Sequence, residues 1–150
     1  MSSRVLVVED EPLIRRLLAK ILEREGIAIE ECADGAAALE RILAERFDVI
    51  LLDLVLPHVS GCEIVARCAS ALSPPRPVVL VMTAFDGALR PALDPYIVTA
   101  VLMKPFDFQL LGDIIRDTVR GLDAAEDARA VPPFATVPPP PDPPSADSKW

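Results

Sequence analysis

Glu9 and Asp10, Asp53, Thr83 and Lys104 each follow a short apolar run, respectively Val5–Val8, Phe47–Leu52, Val78–Met82 and Ile97–Met103. Three carboxylates brought together without a cation would repel and raise one another's pKa, so the set makes physical sense around a hard divalent ion. Mg2+ is the natural candidate. Held by carboxylates, a backbone carbonyl and water, it would bridge to a phosphoryl oxygen and offset the charge that develops during transfer. Lys104 and the Thr83 hydroxyl would hold the other oxygens. One carboxylate then remains as nucleophile. Asp53 is the best placed, at the end of a central run and followed by a loop, and its product would be an acyl phosphate.

Taken singly, these residues have plainer readings: Asp10 as a helix cap, Thr83 as a partner of local backbone, Lys104-Pro105 as an ordinary strand exit. Their weight comes from placement. In an open parallel sheet ligands bind outside the carboxyl ends of the strands, and four of the five expected strands end in one of these residues.

The elements that position them follow from periodicity. Strands are expected at Val5–Val8, Ile27–Glu31, Phe47–Leu52, Val78–Met82 and Ile97–Met103, alternating with stretches of helical spacing. Leu13, Ile14, Leu17, Leu18, Ile21 and Leu22 mark the first helix, with Pro12 in its first turn and Gly26 ending it. Further helices are expected at Gly35–Ala44, Ser60–Leu72 and from Asp107, a plausible cap, to Leu122. The stretch Asp86–Tyr96 contains Pro91 and Pro95 and is expected to hold one or two helical turns at most. The fold class is therefore α/β: a flavodoxin-like, doubly wound, five-stranded parallel sheet with an atypically short fourth helix.

Val7-Val8-Glu9-Asp10-Glu11-Pro12, Leu51-Leu52-Asp53-Leu54-Val55-Leu56-Pro57 with Gly61, Met82-Thr83-Ala84 and Lys104-Pro105-Phe106 together resemble response-regulator receiver domains, over residues 4–122. The resemblance implies that Asp53 is the phosphoacceptor and that Glu9, Asp10, Asp53 and the Val55 carbonyl hold Mg2+. It further implies that Thr83 and Lys104 contact the phosphoryl group and that Ala84 leaves room for access. The implied donor is a histidine kinase or histidine phosphotransfer protein, with the receiver catalysing only its own phosphorylation and dephosphorylation. His58, the single histidine, reads as exposed or locally hydrogen-bonded and neither as a phosphohistidine nor as a ligand.

Two departures from the family pattern stand out. Members commonly carry Tyr or Phe three residues before the lysine, as an aromatic switch; here the position is Val101. A small aliphatic side chain cannot make that rotation, so the reading of phosphorylation is expected to rest on loop order near Thr83–Gly87 or on a partner shaped for this surface. In addition, Val55 and Phe85, two residues beyond Asp53 and Thr83, are apolar where a polar side chain would orient an attacking water, and slow self-dephosphorylation is expected.

Composition sets the remaining bounds. The 150 residues suffice for one domain, expected at 1–122, and half of the sixteen prolines fall in a tail, 123–150, expected to be disordered or polyproline-like. A net charge of -8 argues against nucleic acid as a partner. Arg15, Arg16, Lys20 and Arg24 are expected on the solvent side of the first helix. No apolar run spans a bilayer and no export signal precedes the first strand, so no membrane association and a cytoplasmic location are expected. Three cysteines without a Cys-x-x-Cys pair read as reduced, partly buried thiols. The output is then a protein–protein contact. The alternative is a phosphate-independent interaction module of the same fold; an aspartyl-phosphate phosphatase would need a second Asp at the position of Val55 and a cap domain.

Overall fold

A computed structural model of the protein describes residues 3–84 and 93–127. Five strands form one sheet: β1 (Val5–Val8), β2 (Ile29–Cys32), β3 (Val49–Asp53), β4 (Val78–Thr83) and β5 (Val98–Met103). All pairings are parallel, in the order β2-β1-β3-β4-β5. The central strands β1 and β3 are buried at every position, which is why they read as unbroken apolar runs instead of alternating ones. Among the described residues four helices cover the sheet: α1 (Pro12–Arg24), α2 (Gly35–Ala44), α3 (Gly61–Ala71) and α4 (Phe108–Asp127).

Alternation along the buried strands divides the core in two. Leu6, Val8, Ile50, Leu52, Val79 and Val81 face α2 and α3, packing on Ala38, Ile42, Ile64, Val65 and Cys68. Val5, Val7, Val49, Leu51, Leu80 and Met82 face α1 and α4, packing on Leu18, Leu22, Leu111 and Ile115. The helices thus lie on both faces, and the winding reverses between β1 and β3. In such a sheet that reversal opens a crevice at the carboxyl ends, and the register Val8↔Leu52 sets Glu9 and Asp53 side by side at its floor.

The flavodoxin-like expectation holds, with local corrections. β2 and β3 begin two residues later than expected, because Ile27 and Phe47 are buried as plugs below the sheet and not as members of the ladder. At its other end β3 includes Asp53, whose backbone pairs with Met82. β5 starts one residue late, at Val98. The last helix runs to Asp127, past the expected end at Leu122, and Ser3 Oγ donates to Asp123 at 2.6 Å. The short helix expected over 86–96 falls largely on residues 85–92, outside those described, as does the proline-rich stretch from 128 onward.

The caps explain the helix ends. Asp34 accepts from the Ala37 N–H at 3.0 Å, Ser60 from Glu63 at 3.2 Å, and Asp107 from Gln109 and Leu110 at 2.8 and 3.2 Å. α1 has no side-chain cap and starts at Pro12, and its exit turns through Gly26 at a φ of 74°. Asp10 therefore does not cap it.

Candidate functional site

The site is built on the carboxyl ends of β1, β3 and β5. Asp53 closes β3 and is 5% exposed; one carboxylate oxygen accepts from the Val55 N–H at 3.1 Å and the other from Lys104 Nζ at 3.0 Å. Glu9 follows β1 and is 1% exposed, with Oε2 2.9 Å from Lys104 Nζ and Oε1 accepting from the Glu11 N–H at 3.3 Å. Lys104 follows β5, and its own N–H donates to the Thr83 carbonyl at 2.7 Å, which fixes its backbone against the end of β4. Asp10 is exposed at the rim. Glu9, Asp10 and Asp53 each offer a carboxylate oxygen within 4.8 Å of the others.

Two buried carboxylates thus share one ammonium, with a third carboxylate close by at the rim. Burial above all, with the nearby Asp53 charge, raises the Glu9 carboxyl to about 7 against the opposing pull of Lys104. Burial works against the Lys104 ammonium too, but its hydrogen bonds to Glu9 and Asp53 outweigh that and hold its pKa above the ordinary value. A carboxyl that remains hard to ionise beside a lysine marks a site short of positive charge. An all-oxygen donor set of this kind fits a hard divalent cation, and Glu9, Asp10 and Asp53 are the residues that could hold one.

The response regulator receiver domain family matches residues 5–116. The protein belongs to that family. It is similar to the response regulator receiver protein CpdR of Brucella abortus, at 34% identity over 122 residues, covering 81% of this chain and 98% of that one. It is 41% identical over 110 residues to the transcriptional regulatory protein CutR of Streptomyces coelicolor, covering 72% of this chain and 49% of CutR, so it spans about half of that relative. Among solved structures, the response regulator protein TrrA of Thermotoga maritima, in complex with Mg(2+)-BeF, superposes with a TM-score of 0.66 at 28% identity, covering 77% of this chain and 98% of that one.

The receiver's other expected residues fall as follows. Thr83 is buried at the end of β4, beside Lys104, and Ala84 is exposed immediately after it. Val55 is half-exposed, with its N–H committed to Asp53. Val101 pairs with Val81, two positions before Thr83, and is partly buried against the core on the α2–α3 side. Phe85 and the loop to Gly87 lie outside the described residues. The three cysteines are free, Cys68 being buried, and among the described residues no helix is long and apolar enough to cross a membrane.

Two residues near the site carry roles that the pattern did not signal. Arg15 was expected on the solvent side of α1; instead its guanidinium donates to the Glu9 carbonyl at 2.8 Å and lies 3.5 Å from Glu31. It is one turn inside the helix that starts next to Glu9, so helical spacing alone cannot separate a solvated arginine from one curled back over the first turn. Gly61 begins α3 directly against β3: its N–H donates to the Leu54 carbonyl at 2.9 Å, and a Cβ there would lie 2.4 Å from the Asp53 carbonyl oxygen. The family motif contained that glycine, but the close contact is visible only in three dimensions.

Proposed function

We propose that this receiver takes a phosphoryl group on Asp53 in a Mg2+-dependent reaction, with Glu9, Asp10, Asp53 and the Val55 carbonyl as the protein's metal ligands and Thr83, Ala84 and Lys104 around the phosphoryl group. The observation that carries it is the Lys104 ammonium shared between Glu9 and Asp53 at 2.9 and 3.0 Å, inside a set of three carboxylates. The complex of the similar TrrA with Mg(2+)-BeF supports the choice of metal.

Asp53 is oriented for attack by its two hydrogen bonds, one to the fixed Val55 N–H and one to a lysine that can follow the charge. An Asp53 oxygen attacks phosphorus as the bond to the donor's imidazole nitrogen breaks, leaving an acyl phosphate here and a free histidine on a kinase or phosphotransfer protein. Glu9, Asp10, Asp53 and the Val55 carbonyl would hold the Mg2+ ion, which when bound would supply positive charge to the phosphoryl oxygens. Lys104 moves from the carboxylates to one of those oxygens, and the Thr83 hydroxyl donates to another. The protein catalyses only its own phosphorylation and dephosphorylation, acts in the cytoplasm, and passes the change on through a protein contact.

Intact-mass analysis after incubation with acetyl phosphate and Mg2+ tests this directly. One phosphoryl adduct is expected, absent from Asp53→Ala and from a sample with chelator. No adduct, together with no Mg2+ binding, would turn the reading to a phosphate-independent interaction module, in which Val101 in place of an aromatic switch residue would cost nothing.

A further inference from the structure

The loop from β3 to α3 carries Val55, and its tightest point is His58. This is the one non-glycine among the described residues with positive φ, 69°. The Val59 N–H donates back to the Pro57 carbonyl at 2.9 Å, closing a three-residue turn around His58 in the strained form that needs such a φ. Unless its surroundings hold it there, a histidine has no reason to stay in this conformation.

The surroundings are the N-terminus of α2. The Gly35 N–H donates to the same Pro57 carbonyl at 3.1 Å, and Gly35 fits so closely under the turn that a Cβ would stand 1.7 Å from the Val59 carbonyl oxygen. Beside it Asp34 uses its two carboxylate oxygens separately. One caps α2 through Ala37, and the other receives a short hydrogen bond from His58 Nδ1. The capping bond and His58 together hold the Asp34 carboxyl below its ordinary range. His58 itself is mostly exposed, so the pair serves no burial.

We infer that the His58–Asp34 pair is a latch that fixes the β3–α3 loop to α2 and thereby holds the Val55 carbonyl where a metal ion can use it. His58 is a positioning residue for the metal site. The inference rests on the proposed role of Val55 as a ligand. Asp34 is the N-cap of α2 and is not among the clustered carboxylates Glu9, Asp10 and Asp53, so the latch makes α2 part of the site's frame without supplying a ligand from it.

The test is Mg2+ affinity by titration calorimetry on the full chain, with amide exchange at residues 55–60 as a second readout in the absence of metal. His58→Ala removes the pair and keeps the strained backbone; His58→Gly removes both. Asp34→Ser keeps a helix cap but is too short to reach His58. His58→Asn tolerates positive φ and places an amide nitrogen where Nδ1 stood. His58→Ala, His58→Gly and Asp34→Ser are each expected to weaken Mg2+ binding about three- to tenfold, at or below the usual effect of removing an outer partner of a metal ligand. Exchange at 55–60 should accelerate in the same three, His58→Asn should bind like the native protein, and the double variant His58→Ala/Asp34→Ser should be no worse than His58→Ala. Native affinity in His58→Gly or Asp34→Ser, or losses that add in the double variant, would overturn the latch while leaving the phosphoacceptor reading intact. A native protein that binds no Mg2+ would overturn that reading and the latch with it.

Discussion

Gly61 presses its Cα against the strand end that carries Asp53, with room for no side chain: an added Cβ would lie 2.4 Å from the Asp53 carbonyl oxygen and 2.6 Å from Leu54 Cα. Asp53 ends a strand paired on two sides and the Leu54 N–H just beyond it is bonded to the Met82 carbonyl, so neither neighbour can yield cheaply. Gly61→Ala is therefore expected to destabilise the fold by about 1–3 kcal/mol and to push Asp53 out of line with Lys104. Denaturant melts should show the loss, and phosphorylation by acetyl phosphate at a temperature where the variant is folded should still be at least tenfold slow. Native phosphorylation in a destabilised variant would separate the two effects and sink the second.

The Glu9 carboxyl predicts how stability depends on pH. Its folded value of about 7 lies above the ordinary 4.5, so the folded protein holds a proton there that the unfolded chain has already released. The contribution is fully present below pH 4.5 and is lost as pH rises through 7. Glu45 has the opposite sign: its hydrogen bonds to Arg41 and Arg4 hold it down at about 2, so its contribution is present above pH 4.5 and is lost as pH falls toward 2. Counting these two groups, the metal-free protein should be most stable near pH 4.5, losing stability both as pH rises toward 7 and as it falls toward 2. Melts at pH 5.5 and 8 should show a Tm lower by a few degrees at pH 8, and Mg2+ should raise the value at pH 8 more than at pH 5.5, because protons compete for the same carboxylate. A flat profile from 5.5 to 8 would show that Glu9 is not the strained group.

How much of this could be read beforehand depended on whether an interaction is local in the chain. β1, α2 and the cap at Asp107 follow from runs of a few residues, and structure and sequence agree on them. The starts of β2 and β3 did not, because Ile27 and Phe47 are as apolar as strand residues and hydrophobicity cannot distinguish a plug from a ladder member. The site's carboxylates, lysine and threonine were legible from their places at strand ends, since a parallel sheet brings those ends together whatever lies between them. Arg15 and the pairing of His58 with Asp34 were not. Each depends on where a long side chain turns or on a contact between segments far apart in the chain, and neither leaves a periodic trace.

The lifetime of the phosphorylated form is expected to be long, and Val55 gives a handle on it. Val55 is 53% exposed while its N–H is bonded to Asp53, so a polar replacement would stand beside the site without disturbing the backbone whose carbonyl is proposed as a metal ligand. Val55→Asn should shorten the half-life of the aspartyl phosphate several-fold by orienting a water, with the Mg2+ affinity unchanged. Following decay of the phosphorylated mass after removal of acetyl phosphate measures it. If neither Val55→Asn nor Phe85→Glu shortens the half-life, polarity at these positions does not limit hydrolysis.

At the opposite end of the sheet, Phe47 predicts a loss of stability without a loss of chemistry. Phe47 is 4% exposed and two guanidinium groups lie over its ring, Arg4 at 4.6 Å and Arg41 at 5.3 Å from the ring centre. Those arginines also bind Glu30 and Glu45, so one aromatic ring organises four charges below the amino ends of the strands. Phe47→Leu keeps the apolar plug but removes the ring face, and it should cost about 1–2 kcal/mol. Part of that loss should disappear in high salt, where the native protein is itself weakened by screening. The phosphoryl site lies beyond the carboxyl ends of the same strands, and β3 joins the two ends through residues that the substitution does not touch. Phosphorylation of Phe47→Leu at a permissive temperature should therefore match the native rate, whereas Gly61→Ala loses both stability and rate. A slowed Phe47→Leu variant would mean that the two ends of β3 are mechanically coupled, and that the arginine cluster belongs to the switch as well as to the fold.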